Sequence, residues 1–240
     1  LKNVQAEVKE GISVKQLCDN NSQIFHDLKE ALNLSFDGFI RTTEQRHFAG
    51  AQKLWQACKP EDIYKKKYKG FYCVGCESFY AAKDLVSGKC PEHQTAPEIV
   101  EEENYFFKLS KYSEKIEDII KKDKVKIIPG GRKNEMLSFI KQGLEDVSFS
   151  RPRKDLRWGI AVPDDDLQTM YVWADALVNY LSVLGENIDK YWPADIHCVG
   201  KDILRFHATI WLGMLLSLKL GLPKNIFVHG FITSTGQKMS

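Results

Sequence analysis

The chain has 240 residues and a formal net charge of +2, and 43% of its residues are hydrophobic. This content suffices to bury the core of one large or two modest domains, and the near balance of charge excludes nucleic-acid binding through overall charge. The longest apolar run, TIWLGMLLSL, is shorter than the roughly 20 residues that span a bilayer, so no membrane helix is predicted. The lysine clusters KKKYK and KKDKVK are interpreted as solvated surface, because aromatic residues do not interleave them as a stacking platform requires.

The first segment, residues 1–59, begins LKNVQAEVKEG with neither an initiator Met nor a recognisable leader, so we expect a leader to have been trimmed or not included. Ser13 and Gln16 have capping-box spacing at the start of a predicted helix that ends near LNLS. The stretch DGFIRTT, residues 37–43, is interpreted as a short strand that leads into a second helix. Its apolar face has spacings of three and four: Phe48, Ala51, Trp55 and Cys58.

Residues 60–170 are predicted to form an insertion, with a small cysteine-bearing module at about residues 70–100. Helical patterning returns in NYFFKLSKYSEKIEDIIKKD (104–123) and RKNEMLSFIKQGLEDV (132–147), on either side of a PGG breaker. These two helices are expected to pair.

From residue 171 to 240, strand and helix patterns alternate. MYVWADA, DIHCVG and NIFVHGFI are predicted strands, and LVNYLSVLG and ILRFHATIWLGMLLSLKLG are predicted helices. Such alternation is typical of βαβ units, so the fold class is α/β with a Rossmann-type parallel sheet.

Four residues in the insertion have the spacing of two metal-binding knuckles. Cys73 and Cys76 are two residues apart, as are Cys90 and His93, with thirteen residues between the pairs. Three thiolates and one imidazole form a tetrahedral zinc site, and a full set of protein ligands makes the zinc structural. A disulfide or buried thiols are the alternative, but the further cysteines Cys18 and Cys58 and the lack of a secretory signal favour a reducing compartment.

Ligands of open parallel sheets bind at the carboxyl ends of strands, so residues that follow strands are candidates for a nucleotide site. Gly200 permits close approach of a backbone, and Asp202 can accept a hydrogen bond from a ribose hydroxyl, or alternatively serve only as a helix N-cap. His207 shares a helix face with Ile203 and Trp211, where a histidine is by default part of the core. A second predicted strand end carries Trp173, Asp175 and Ala176, followed by Tyr180.

Motifs along nearly the whole chain resemble those of class I aminoacyl-tRNA synthetases, and among these the methionyl-tRNA synthetase family. The matching stretches, in order, are FIRTTEQRH, YCVGCESFY, GKCPEH, EENYFFKLSKY, SFSRP, WGIAVP, YVWADALVNY, YWPADIHCVGKDILRFHA and FVHGFI. The final KMS matches the first part of the class signature KMSKS, so we expect the chain to be a fragment cut inside that motif, or the rest of the motif to lie outside the given sequence.

The resemblance implies ATP-dependent activation of L-methionine, with Mg²⁺, followed by transfer of the methionyl group to tRNA(Met). It implies that Tyr180 and His207 add a hydrogen bond near the methionine sulfur, that Gly200, Asp202 and Lys238 bind ATP, and that Lys238 and Arg151 act in catalysis. It also implies a methionine pocket formed by Trp173, Ala176, Leu177, Tyr180, Ile203 and His207.

The resemblance also sets expectations for the rest of the protein. The HIGH signature and the acidic motif that holds the methionine amino group would precede Leu1, and an anticodon-reading domain would follow Ser240. The run DDDLQTMYVWADALVNYLSVLG is more similar to organellar and fungal relatives, which indicates the mitochondrial matrix, with the cytoplasm as the alternative. Monomer and homodimer both stay open.

Two other classes of protein are weighed against this interpretation. A zinc-ribbon nucleic-acid-binding protein without catalysis requires a basic, aromatic surface, which the near-neutral charge disfavours. A dinucleotide-dependent oxidoreductase requires G-x-G-x-x-G after a strand, and the sequence contains no such motif.

Overall fold

The computed structural model describes residues 11–76, 78–80, 82–154, 159–235 and 237–238. The α-helices of this part are α1 (Val14–Ala31), α2 (Gln45–Ala57), α3 (Ser113–Lys121), α4 (Gly130–Ile140), α5 (Val172–Ala176), α6 (Asn179–Ser182), α7 (Ile188–Tyr191) and α8 (Leu212–Leu218). The strands are β1 (Ile63–Cys73), β2 (Ser78–Tyr80), β3 (Glu98–Phe107), β4 (Lys126–Ile128), β5 (Val147–Ser148), β6 (Ser150–Pro152), β7 (Ala161–Val162), β8 (Asp165–Met170), β9 (Ile196–Gly200), β10 (Asn225–His229), β11 (Thr233–Ser234) and β12 (Gln237–Lys238). Among the described residues, no helix is both long enough and apolar enough to span a bilayer.

The two N-terminal helices agree with the predicted pattern, whereas the strand between them does not exist. Ser13 caps α1, and its hydroxyl accepts a hydrogen bond from the Gln16 backbone N–H at 3.2 Å. The predicted strand at residues 37–43 is wrong, because this segment contains no strand and turns into α2. The turn is closed by the Arg41 backbone N–H, which donates to the Glu44 carboxylate at 2.9 Å.

A parallel sheet in the order β4-β10-β9 confirms the α/β fold class. In its register, Asn225 of β10 lies opposite Lys126 of β4 and Ile196 of β9. The strand β4 belongs to residues 60–170, so the predicted boundary at residue 170 does not separate this sheet from the insertion. Among the described residues, 11–59 contribute no strand to it.

The insertion is built on an antiparallel sheet in the order β2-β1-β3-β5. Its β1–β3 ladder runs from Ile63 opposite Phe107 to Tyr72 opposite Glu98. The lysine cluster KKKYK lies in β1, where Lys67 faces Glu103 and Lys69 faces Glu101, so these charges are balanced across the strands.

The helix predicted at residues 104–123 is shorter than expected. Its aromatic start, up to Phe107, completes β3, because aromatic residues favour a paired, half-buried strand. The helical part is α3, which contacts α4, so the expected pairing of the two helices is confirmed.

A third sheet, in the order β6-β8-β7, leads to the segment MYVWADA that was predicted as a strand. Only Met170 belongs to a strand, since β8 ends there and α5 begins at Val172. The physical reason is a helical spacing that the strand interpretation overlooked. From α5 onward the buried residues fall at helical spacings: Ala174, Leu177, Val178 and Leu181.

The segment after β9 is a helix, as predicted, but its first part is π-helical. Residues Phe206–Trp211 form a π-helical turn that continues directly into α8. Turns of this kind widen a helix locally and often occur at functional sites.

A buried carboxylate joins the insertion to α8. Asp62, at the start of the insertion, is fully buried and accepts hydrogen bonds from Lys111, Tyr112 and the Ser217 hydroxyl, the last at 2.7 Å. Burial disfavours its charged form, but these hydrogen bonds prevail and hold the pKa of Asp62 below its ordinary value of 3.8. The ionised carboxylate therefore stabilises this junction.

We expect Asp62→Ala to lower the free energy of unfolding by about 3 kcal/mol, because the Tyr112 and Ser217 hydroxyls lose a buried charged acceptor. Chemical unfolding of the purified protein measures this. The lowered pKa of Asp62 means that its contribution is present above pH 3.8 and disappears as the pH falls below that value, so wild type and variant should converge there. The exposed Asp195–Lys224 pair supplies the control, since Asp195→Ala should leave stability unchanged. Equal losses of unfolding free energy in Asp62→Ala and Asp195→Ala would contradict the stabilising role of the Asp62 carboxylate.

Candidate active site and metal centre

The carboxyl end of β9 forms one side of the candidate active site. The Lys201 backbone N–H donates to the His229 carbonyl at 3.0 Å, so the ends of β9 and β10 are held together. A Cβ atom on Gly200 would lie 2.7 Å from the Asp202 carboxylate, which explains the glycine at this turn. Asp202 is exposed at the same edge, where a ligand can reach it.

Tyr180 and His207 meet beside this edge. The Tyr180 hydroxyl lies 2.7 Å from His207 Nε2, and His207 Nδ1 lies 2.9 Å from the Ile203 carbonyl oxygen. The carbonyl can only accept, so Nδ1 carries the proton, and the Tyr180 hydroxyl donates to Nε2. Burial lowers the pKa of His207 and raises that of Tyr180 to about 12, so both side chains are neutral at physiological pH.

This pairing differs from the expected hydrogen bond near a methionine sulfur. Both polar hydrogens are already donated inside the protein, one to His207 Nε2 and one to the Ile203 carbonyl. The pair therefore presents a neutral surface with no spare hydrogen, which suits an apolar side chain better than a polar one.

Trp173 extends this surface on the side of α5. Its indole ring stacks on Phe206, with ring centroids 3.8 Å apart and an interplanar angle of 13°. The buried Trp173 Nε1 atom has no hydrogen-bond partner among the described residues. Phe206 directly precedes His207, so the stacked pair and the Tyr180–His207 pair are both built on the same helical turn.

The other residues expected in the pocket lie on the same elements. Ile203, half-buried, accepts the His207 hydrogen bond, and Ala176, also half-buried, ends α5. Leu177 is fully packed in the hydrophobic core, so it supports the site from behind. Their roles in binding methionine stay predictions.

Of the two residues predicted to act in catalysis, Arg151 has its partners outside this cluster. The Arg151 guanidinium, on β6, forms a buried ion pair with Glu102 at 2.7 Å and lies over the Tyr72 ring at 4.2 Å. These contacts join the β6-β8-β7 sheet to the β2-β1-β3-β5 sheet that carries the knuckles. A catalytic role of Arg151 stays a prediction. The side chain of Lys238 lies outside the described part of the structure.

Sequence reasoning missed a buried histidine that anchors α5 and α6. His47, on α2, is fully buried, with Nε2 2.5 Å from the Asp175 carboxylate and Nδ1 2.8 Å from the Ser182 hydroxyl. Burial raises the pKa of Asp175, and His47 opposes this shift. The three groups have the chemistry of a Ser-His-Asp triad, but no substrate reaches the buried imidazole, so the arrangement is structural. Its sequence signals are the spacing of His47 from buried Ala51 and its place at the end of the matching stretch FIRTTEQRH.

The four predicted metal ligands converge at the tip of the insertion. The ligand atoms of Cys73, Cys76, Cys90 and His93 all lie within 4.8 Å of one another. Cys76 Sγ lies 3.4 Å from Cys90 Sγ, close to the roughly 3.8 Å between two sulfurs of a tetrahedral zinc site. Cys76 Sγ lies 3.1 Å from His93 Nδ1, and the corresponding distances from Cys73 and Cys90 are 3.9 and 4.0 Å.

The surroundings of this cluster also fit a metal. A Cβ atom on Gly75 would lie 2.6 Å from the His93 ring, so glycine lets the imidazole close over the first knuckle. Although burial disfavours a thiolate, hydrogen bonds from His93 and Glu92 lower the pKa of Cys90 to about 6, whereas burial raises the pKa of Cys76 to about 12, so the fit to a metal rests on the converging ligand atoms. All six cysteines are free thiols, so the disulfide alternative is excluded in this structure. The donor set is compatible with zinc.

The structure is an α/β domain with a Rossmann-type parallel sheet that carries a cysteine-histidine insertion. The family described as "tRNA synthetases class I (M)" matches residues 2–96 and 93–240. The chain belongs to this family.

Individual relatives agree with the family. The protein named methionine–tRNA ligase of Brucella suis is 45% identical over 250 residues, which cover 100% of this chain and 48% of that protein. The chloroplastic/mitochondrial methionine–tRNA ligase of Arabidopsis thaliana is 45% identical and covers 92% of the chain and 38% of its own length. The methionyl-tRNA synthetase of Mycobacterium tuberculosis, solved with bound methionyl-adenylate, superposes with a TM-score of 0.92 at 40% identity, over 100% of this chain and 50% of that one. The chain thus spans about half or less of the length of these relatives.

A double-mutant cycle tests the anchoring role of His47. We expect His47→Ala and Asp175→Ala each to destabilise the protein by about 2 kcal/mol, and the double variant to lose clearly less than the sum, because the two side chains share one interaction. Thermal or chemical unfolding measures the three values. His26→Ala, at a half-exposed position on α1 where the ring contacts Phe36 and Phe39, is the matched control and should destabilise the protein far less. Additive losses contradict a direct coupling between the two residues.

Proposed function

We propose that the complete protein containing this chain is a methionine–tRNA ligase. It activates L-methionine with ATP to methionyl-adenylate and transfers the methionyl group to tRNA(Met). The observation that carries the proposal is that the neutral Tyr180–His207 pair and the Trp173–Phe206 stack are both built on the helical turn that follows the strand end at Gly200 and Asp202. The names of the Brucella and Arabidopsis relatives and the methionyl-adenylate bound to the Mycobacterium protein support it.

The amino-acid side of this site suits a thioether. Aromatic rings attract sulfur by roughly 0.3–1.5 kcal/mol per contact, and Trp173 and Tyr180 supply such rings. A charged or strongly polar substrate side chain would lose its water without gaining a hydrogen from Tyr180 or His207, since both hydrogens are already donated. Selection of methionine therefore rests on shape, polarizability and the exclusion of polar groups.

The nucleotide side of the site is the end of β9. We assign the Asp202 carboxylate to a ribose hydroxyl and the glycine at 200 to close approach of the adenosine. Attack of the methionine carboxylate on the α-phosphate requires positioning and neutralisation of charge, which we assign to Lys238, to Arg151 and to the Mg²⁺ that accompanies ATP.

We propose that Cys73, Cys76, Cys90 and His93 hold a structural zinc ion. With four protein ligands, no coordination position is left for water, so the ion would fix the fold of the knuckles and take no part in the reaction. The likeness to a chloroplastic/mitochondrial relative supports a location in the mitochondrial matrix, with the cytoplasm as the alternative.

Methionine-dependent ATP–pyrophosphate exchange by the complete protein tests the activity. We expect His207→Ala and Trp173→Ala to raise the KM for methionine about tenfold or more, with a much smaller change in the KM for ATP, because both side chains contact only the amino-acid side. His26→Ala, on the surface of α1, should match wild type.

Two outcomes contradict the proposal at different levels. Absence of methionine-dependent exchange in the wild-type protein refutes the ligase activity. Unchanged methionine kinetics in both variants refutes the pocket assignment while leaving the activity intact.

Metal analysis of the purified protein tests the zinc site. We expect one zinc ion per chain, its loss in Cys76→Ser, and a lowered melting temperature of the insertion after chelation, because ligation of a structural zinc is worth on the order of 10 kcal/mol. Cys198→Ser, an exposed thiol outside the cluster, should retain the ion. A metal-free protein whose insertion melts as before contradicts the assignment.

A further inference from the structure

His197 lies directly behind the candidate methionine site, although no sequence motif assigned it a role. It is on β9 with only 3% of its surface exposed. Its ring centroid is 4.2 Å from that of Tyr180 and 6.1 Å from that of His207. His197 therefore contacts the ring whose hydroxyl completes the site.

The orientation of the His197 ring is fixed by a buried indole. Trp211 Nε1 donates to His197 Nε2 at 3.2 Å, and Trp211 itself has no exposed surface. An indole N–H can only donate, so Nε2 must be an unprotonated acceptor and Nδ1 carries the hydrogen. Burial, followed by the nearby His207, lowers the pKa of His197 to about 4, so this neutral form is the one present at physiological pH.

Aromatic contacts leave Tyr180 little freedom on this side. The Trp211 ring lies 5.9 Å from the Tyr180 ring and 5.8 Å from the Trp192 ring, and Trp192 also reaches His197 at 6.1 Å. Tyr180 thus packs against the rings of His197 and Trp211, which are hydrogen-bonded to each other, while its hydroxyl is hydrogen-bonded to His207. A tilt of the Tyr180 ring would lengthen that hydrogen bond.

We propose that His197 is a positioning residue: its imidazole, oriented by Trp211, packs against Tyr180 and keeps the Tyr180 hydroxyl on His207, and so sets the affinity for the amino-acid substrate. This proposal rests on the proposed function. His197 acts through Tyr180 and does not itself contact substrate.

Two substitutions distinguish the contribution of the His197 ring from that of its acceptor atom Nε2. His197→Gln keeps an acceptor for the Trp211 indole but removes the ring that packs on Tyr180. His197→Phe keeps a ring but leaves the buried indole N–H without a partner. We expect the KM for methionine in the exchange assay to rise about tenfold in His197→Gln and less in His197→Phe, with kcat and the KM for ATP changed less than about twofold in both.

Combination with Tyr180→Phe shows whether the effect passes through the tyrosine hydroxyl. We expect His197→Gln to raise the KM for methionine by less than about threefold when Tyr180→Phe is already present, because the hydrogen bond that it would disturb is then missing. A tenfold rise in both backgrounds overturns the proposal. Parallel rises in the KM for methionine and for ATP also overturn it, since they indicate general damage to the fold.

A measurement without catalysis keeps this test apart from the proposed function. In NMR spectra of the protein, we expect the Trp211 indole N–H resonance to stay in a hydrogen-bonded position in His197→Gln and to shift in His197→Phe. A resonance that is insensitive to both substitutions overturns the indole–imidazole contact, whatever the substrate is. If the wild-type protein shows no methionine-dependent exchange but the expected NMR shifts are seen, the ligase activity is refuted and the Trp211–His197 contact is retained. His26→Gln is the control and should leave the Trp211 resonance unchanged.

Discussion

The hydrogen bond from the Tyr180 hydroxyl to His207 Nε2 joins two helices that follow different strands, and the candidate methionine site is organised around it. Tyr180 belongs to α6, which follows the antiparallel strand β8, whereas His207 belongs to the π-helical turn that follows β9. Because His207 is neutral and already donates to a backbone carbonyl, the bond has only one direction. At the Tyr180–His207 pair the resulting surface is aromatic, uncharged and without a spare hydrogen, and these properties suit an apolar substrate side chain.

Three buried polar contacts hold the surrounding elements in place, and each joins distant parts of the chain. His47 and Asp175 are 128 residues apart, and Asp62 and Ser217 are 155 residues apart. The Arg151–Glu102 pair joins the sheet of the knuckles to the sheet that leads into α5. Since removal of one partner from such a pair leaves a buried polar group unsatisfied, these contacts specify how distant segments pack together, and the Asp62–Ser217 bond fixes the insertion against α8.

Local signals in the sequence predicted the parts of the fold that local physics determines. The Ser13 cap, the strands predicted at 195–200 and 225–232 and the spacing of the four predicted metal ligands are short-range features; the cap and the cluster agree with the structure, and the strands form at 196–200 and 225–229. The strand interpretations of 37–43 and 170–176 and the helical interpretation of residues 104–107 were wrong, because pairing partners and burial decide such short apolar segments. His47 and His197 could not be recognised as supporting residues, since their partners lie far away in sequence.

A crystal structure of the complete protein with a non-hydrolysable methionyl-adenylate analogue tests the central claim most directly. We expect the thioether side chain of the analogue to lie against Trp173, Tyr180 and His207, and its ribose to lie within hydrogen-bonding distance of the Asp202 carboxylate. An analogue bound elsewhere, with the Tyr180–His207 pair untouched by ligand, would contradict the assignment of this site.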